Sequence, residues 1–171
     1  IQTKEFGYGL EGILGKRSSS IFGILNGLDY SIWNPQTDRF IIKNYSAENI
    51  QEKYKYKDDL QRICKLPHKL DVLLLGIVSR LAQQKGFDIL ADVIDSICKM
   101  NLQLVILGVG DLKYHLILKN MVKKYPKVIS LHLRFDDPLA HKIYAGSDIF
   151  LMPSKYEPCG LGQMISLKYG T

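Results

Sequence analysis

The densest run of chemistry-bearing residues is Pro153-Ser-Lys-Tyr-Glu157-Pro-Cys159-Gly-Leu-Gly162-Gln163. Its two prolines stiffen a turn, and its glycines let the backbone of a helix opening near Cys159–Gly162 approach a bound group closely. Free N–H groups at such an opening favour phosphate, whereas a carboxylate at Glu157 favours developing positive charge. Together they suit a sugar nucleotide: the carboxylate stabilises an oxocarbenium-like centre or orients sugar hydroxyls. Glu157 would serve equally as a plain cap of the helix start. Cys159 makes a poor nucleophile, because no histidine base stands near it in sequence.

A second group of charges is Ser79-Arg80-Leu-Ala-Gln-Gln-Lys85-Gly86. Two cations straddling a strand-to-helix loop converge on one anion, Arg80 as a bidentate fork and Lys85 as a point charge. Taken alone, they also fit two solvated surface cations. Gly108-Val-Gly110-Asp111 permits close backbone approach but lacks the third glycine of a dinucleotide fingerprint, so a plain turn serves as well. Arg134-Phe135-Asp136 puts an aromatic ring where a base could stack, although Phe135 by itself reads as core. The four histidines and three cysteines show no zinc spacing, and the odd cysteine count points to reduced thiols.

The elements that would position these residues are legible from about Asp71 onward. Val72–Val78 reads as a strand buried on both faces, and Phe87, Leu90, Val93, Ile94 and Ile97 recur at helical spacing. Leu104–Leu107 gives a second strand. Asp111 then caps a helix carrying Tyr114, Leu118 and Met121, and Val128–Leu133 gives a third strand. Asp137 reads as an N-cap with Pro138 at the first helical position, and Gly146 as the stop after that helix. Asp148–Met152 is a fourth strand and Gly160–Tyr169 a fourth helix, ended by Gly170. Repeated strand–helix units predict an α/β, Rossmann-like parallel sheet, whose ligands bind beyond the carboxyl ends of the strands. Ser46–Leu66 reads as a separate, strongly charged helix with a solvated face.

Composition agrees with one globular unit: 171 residues, 46% apolar, 23% charged and a net charge of +6. It excludes a disordered chain, a collagen-like repeat and a disulfide-stapled miniprotein. Basic residues are spread rather than massed, which argues against a nucleic-acid arm. The longest near-continuous apolar run, Val72–Val78, is far short of a membrane span, and the first residues show no signal-peptide pattern.

Tyr156-Glu-Pro-Cys-Gly-Leu-Gly-Gln163 resembles a signature of bacterial glycogen synthases and plant starch synthases. Gly7-Tyr-Gly-Leu-Glu-Gly12, Gly23–Pro35, Gly76–Gly86 and His141–Asp148 resemble that family in the same order, so the likeness covers essentially the whole chain. The resemblance implies the C-terminal, donor-binding half of a GT-B glycosyltransferase, incomplete in this chain. Residues 1–25 would be the tail of an acceptor-side domain, 26–70 a connector with the charged helix, and 71–171 the nucleotide-sugar-binding domain, truncated at its C-terminus. It further implies glucose transfer from ADP-glucose to the non-reducing end of an α-1,4-glucan, with retention of configuration and no metal or other cofactor. Arg80 and Lys85 would hold the diphosphate, Glu157 would face the glucose, and the backbone of Cys159, Gly160, Leu161 and Gly162 would meet sugar and phosphate oxygens. Phe135 would lie against the adenine and Asn26 would help line the cleft.

Departures accompany the likeness. No Lys-x-Gly-Gly-Leu loop is present, Gly162 stands where many relatives carry Thr, and Ile165 replaces the second acid of broader GT-B relatives. The 171 residues alone would therefore be inactive. Partners would be ADP or ADP-glucose and the glucan, with neither nucleic acid nor membrane, in a bacterial cytoplasm or a plastid stroma. A GT-B enzyme using another nucleotide sugar and a non-catalytic nucleotide- or glucan-binding module are the competing readings.

Overall fold

Four short apolar runs build the sheet: β1 (Leu73–Val78), β2 (Leu102–Leu107), β3 (Ile129–His132) and β4 (Ile149–Phe150). In the computed structural model, which describes residues 1–171, they pair in parallel in the order β3-β2-β1-β4. The helices are α1 (Lys4–Gly7), α2 (Glu11–Lys16), α3 (Tyr54–Ile63), α4 (Phe87–Cys98), α5 (Leu112–Lys124), α6 (Asp137–Gly146) and α7 (Leu161–Lys168).

Strand alternation divides the core between two faces. Leu75 and Ile77 of β1 join Leu104 and Ile106 of β2 against Phe87, Leu90 and Ile94 of α4 and Leu118 of α5. Leu74, Val105 and Leu107 point the other way, onto Leu60 of α3 and Leu139 and Ile143 of α6. Each such side chain withdrawn from water contributes about 1.5–3 kcal/mol, which is why β1 and β2 are apolar at all positions but Gln103. A third, aromatic cluster of Tyr45, Tyr56, Tyr144 and Tyr169 ties residues upstream of α3 to α6 and α7.

Several local expectations change. Asp136, not Asp137, caps α6: its Oδ1 accepts the Leu139 N–H at 3.0 Å while Arg134 holds its other oxygen at 2.7 Å. Asp137 is thereby the first helical residue. Gly146 does not stop the helix but is its last residue, and a side chain there would press into the Tyr56 carbonyl oxygen, 2.6 Å from a built Cβ. Its absence lets α6 and α3 touch backbone to backbone. Asp111 sits at the N-cap of α5 without a capping side-chain bond. The fourth strand is only Ile149–Phe150, because Pro153 has no N–H to continue the ladder after Leu151 bonds to Gly76.

The charged segment before the core is not a solvated helix. Ser46 caps a 3-10 turn over Ala47–Lys53 that runs into α3, and Lys57, Asp59 and Gln61 are buried there. Lys57 pairs with Asp148 at 2.6 Å, and Gln61 donates to Gln103 at 2.7 Å. Asp59 pairs with Arg62 and, at 3.3 Å, with Lys142 of α6, so each of the three buried polar residues has a partner inside the fold.

A buried polar knot fixes residues 33–41 to this framework. Oδ2 of Asp38 accepts from the Tyr169 hydroxyl at 2.6 Å and lies 2.7 Å from Nδ1 of His141. The His141 ring stacks on Trp33 with 4.0 Å between centroids. Burial pushes the Asp38 carboxyl up, but the bonds from His141 and Tyr169 outweigh it and hold the group below its ordinary value. Upstream, Tyr8, Phe22 and Ile24 lie more than four-fifths exposed. No helix is long and apolar enough to cross a membrane.

Candidate active site

β1 and β4 end side by side, so the loops that follow them face each other over the sheet's carboxyl edge. Gly86 makes their contact possible. Its φ of +74° is in the left-handed region, and a Cβ there would collide with the carbonyl of Pro153. The Lys155 N–H donates to the Gln84 carbonyl at 3.0 Å, and the Gln84 side chain donates to the Tyr156 carbonyl at 3.4 Å. Lys155 also pairs with Asp88 at the start of α4. Four separate ties thus hold the two loops in one geometry.

Between them opens a cleft of about 440 Å³. Arg80, Lys85, Glu157, Cys159, Gly160, Leu161 and Gly162 all line it, so seven of the residues singled out by sequence meet in one place. Nζ of Lys85 lies 2.6 Å from Oε1 of Glu157, and Ser154 Oγ donates to the same oxygen at 2.6 Å. Burial pushes the Glu157 carboxyl up, yet the hydrogen bonds from Lys85 and Ser154 and the Lys85 charge outweigh it. The group therefore ionises below its ordinary value of 4.5. Glu157 is no helix cap: α7 starts at Leu161, with Gly160 in the capping position. The N–H groups of Leu161 and Gly162 have no acceptor in the protein and look into the cleft with the positive end of the α7 dipole.

Arg80 stands exposed at the rim, its guanidinium 3.5 Å from the Gln84 amide oxygen. It is shared with a neighbouring pocket of about 230 Å³, where Phe135, Arg134, Gly108 and Val109 gather. Phe135 is not a core residue: 88% of its surface is exposed, and it overhangs that second pocket rather than the main cleft. Asn26 lies outside both. Its side chain is exposed, and only its carbonyl reaches the cluster, 3.7 Å from Cys159 Sγ. The three cysteines are free, and burial pushes the thiols of Cys64 and Cys98 up to about 11. No group of three His, Cys, Asp or Glu side chains converges as a metal site would require.

Two members of the site carried no signal of their own in the sequence. Ser154 stands three residues before Glu157 in the same turn, and a hydroxyl there is useful only once the turn folds back. Gln84 is one residue before Lys85 and bridges both loops through its amide and its carbonyl.

A parallel sheet with a cation pair after one strand, and a carboxylate and open helix N-terminus after another, defines a Rossmann-like glycosyltransferase domain of the GT-B type. The family model described as "Glycosyl transferases group 1" matches residues 73–171, and the chain belongs to that family. It is 53% identical over its whole length to a glycogen synthase of Thermosipho africanus, of which it covers 35%. It is 46% identical to a glycogen synthase of Clostridium novyi, covering 36% of it. The chain thus spans about a third of the length of these curated relatives. Among solved structures, the catalytic domain of starch synthase IV from Arabidopsis thaliana, bound to ADP and acarbose, superimposes with a TM-score of 0.92 at 34% identity. That match covers 99% of this chain and 35% of the plant chain. The C-terminal domain of a glycosyl transferase group 1 protein from Francisella tularensis shares the fold at a TM-score of 0.55 and 22% identity, over 83% of this chain and 66% of that one.

Proposed function

We propose that this chain is the donor-binding part of a glycogen or starch synthase. It would serve transfer of glucose from ADP-glucose to the non-reducing end of an α-1,4-glucan with retention of configuration. The observation that carries this reading is the Lys85–Glu157 pair at 2.6 Å, set beside the open N-terminus of α7. The glycogen synthase relatives and the ADP-bound starch synthase support it.

In this reading the diphosphate of the donor lies over the Leu161 and Gly162 N–H groups, with Arg80 and Lys85 on its outer oxygens. As the bond from the anomeric carbon to the β-phosphate oxygen breaks, negative charge grows on the leaving ADP beside Lys85. Positive character grows on the sugar beside Glu157. Both charges are met by groups already in place, which is electrostatic preorganisation. The adenine would lie against Phe135, across the rim from Arg80. Asn26 would border the acceptor side. No metal is required in this scheme, since Arg80 and Lys85 supply the positive charge. The setting is the cytoplasm of a bacterium or a plastid stroma.

The test is incorporation of labelled glucose from ADP-glucose into glycogen by the protein that carries this chain. Incorporation from ADP-glucose supports the reading. Transfer from a different nucleotide sugar only would replace the donor, and nucleotide binding without any transfer would make the chain a binding module.

A further inference from the structure

Tyr144 of α6 forms part of the floor of the Lys85–Glu157 cleft. Only 3% of its surface is exposed, and its ring is wedged between the edge of Trp33 at 5.6 Å and the face of Phe150 at 4.8 Å. The other three tyrosines of this aromatic cluster all spend their hydroxyls on protein acceptors. Tyr45 donates to the Tyr169 carbonyl at 2.8 Å, Tyr56 to the Lys43 carbonyl at 2.8 Å and Tyr169 to Asp38 at 2.6 Å. The Tyr144 hydroxyl has no such partner. Although the ring is buried, the hydroxyl opens onto the cleft, where a ligand oxygen can accept its proton.

What the hydroxyl meets instead is the first turn of α7. A Cβ built on Gly162 would lie 3.5 Å from it, so the missing side chain at 162 leaves the hydroxyl open beside the Leu161 and Gly162 N–H groups. Burial pushes the phenol's pKa up, which keeps the O–H proton available for donation at neutral pH. We infer that Tyr144 is a donor-binding residue whose hydroxyl donates to the same phosphate oxygen that the Leu161 and Gly162 N–H groups face. This rests on the reading of the cleft as a nucleotide-sugar site, and it adds a contact from the sheet's covering helix to those from the loops.

The test is calorimetric titration with ADP, paired with thermal unfolding, of the wild type and of Tyr144→Phe, Gly162→Ala, the double variant and Lys85→Ala. Tyr144→Phe weakens ADP binding about three- to tenfold, the worth of one neutral hydrogen bond, with no fall in melting temperature because no protein bond is lost. Gly162→Ala places a methyl over the hydroxyl. It weakens ADP binding to a similar degree while raising the melting temperature, since alanine replaces glycine inside a helix. The double variant loses little more than either single one, as expected when both act on one contact. Unchanged ADP affinity in Tyr144→Phe, with the expected loss in Lys85→Ala, overturns the assignment of Tyr144 and leaves the cleft reading standing. Absence of ADP binding by the wild type overturns both.

Discussion

The Lys85 ammonium and the Glu157 carboxylate, 72 residues apart in sequence, neutralise each other across the cleft at 2.6 Å. In the proposed complex a diphosphate competes with Glu157 for Lys85, and the carboxylate, already in the cleft, is left without its counter-ion to face the sugar. The pair therefore couples the two halves of the proposed donor: engaging the phosphate frees the group that meets the ring.

Truncation of either cation tests the diphosphate side. Lys85→Ala or Arg80→Ala lowers kcat with ADP-glucose about ten- to hundredfold, the range of one charge-assisted bond worth about 1.5–3 kcal/mol. Steady-state kinetics on the protein carrying this chain measure it, and near-normal turnover in both variants would remove them from the mechanism.

Glu157→Gln keeps the shape of the side chain and removes its charge. The rate falls far more than the affinity for ADP-glucose, because the carboxylate acts on charge that exists only in the transition state. Equal losses in kcat and affinity would make Glu157 a binding group. The pH dependence follows from its lowered pKa. The folded-state value lies below 4.5, so the ion pair's contribution is complete above 4.5 and is lost only as pH falls through that lower value. The acid limb of the kcat/KM profile, which reports Glu157 in the ligand-free cleft, accordingly lies below the usual carboxylate range.

Gly86→Ala strikes the junction of the two loops. A left-handed φ costs a non-glycine residue about 1–2 kcal/mol, and the collision with the Pro153 carbonyl adds to it. Urea denaturation registers a loss of at least about 2 kcal/mol, and ADP binding weakens as Lys85 is displaced from Glu157. A stable variant with full affinity would show that the loops do not depend on this contact.

Asp38→Ala leaves the Tyr169 hydroxyl and the His141 ring without their shared buried acceptor. Stability drops by about 2–4 kcal/mol, while ADP affinity in the folded protein stays within about twofold. A large affinity loss at unchanged stability would instead place the knot in the binding site.

Activity in excess EDTA gives the last test. With Arg80 and Lys85 covering the diphosphate, turnover persists. Complete loss that Mg²⁺ or Mn²⁺ restores would mean that a cation shares their task.

Much of this was legible because it is local. A strand buried on both faces is apolar at nearly every step, and an amphipathic helix must repeat its apolar residues at helical spacing, so β1, β2, α4 and α5 declare themselves. The site followed from topology: parallel strands deliver the loops holding Arg80, Lys85 and Glu157 to one edge. Illegible features depend on partners far along the chain. Lys57 and Gln61 look like solvent-facing residues until Asp148 and Gln103 meet them. Asp38, His141 and Tyr169 have no common pattern, yet they form one knot across separations of 103 and 131 residues. Phe135 was ambiguous because an aromatic after a strand serves core and rim alike, and only the turn at Asp136 directs it outward.

The sheet order β3-β2-β1-β4 also fixes when the cleft comes into being during synthesis. The first three strands and their crossover helices are complete once Leu133 has left the ribosome, and they already display Arg80 and Lys85. At that stage the edge of β1 is bare, and neither Glu157 nor α7 has been made. Only the residues that follow, docking β4 against that edge, enclose the two cations in a cleft. A nascent chain therefore has only one wall of the cleft until β4 is seated, and the nucleotide proposed to bind there can stabilise only a sheet that already holds β4.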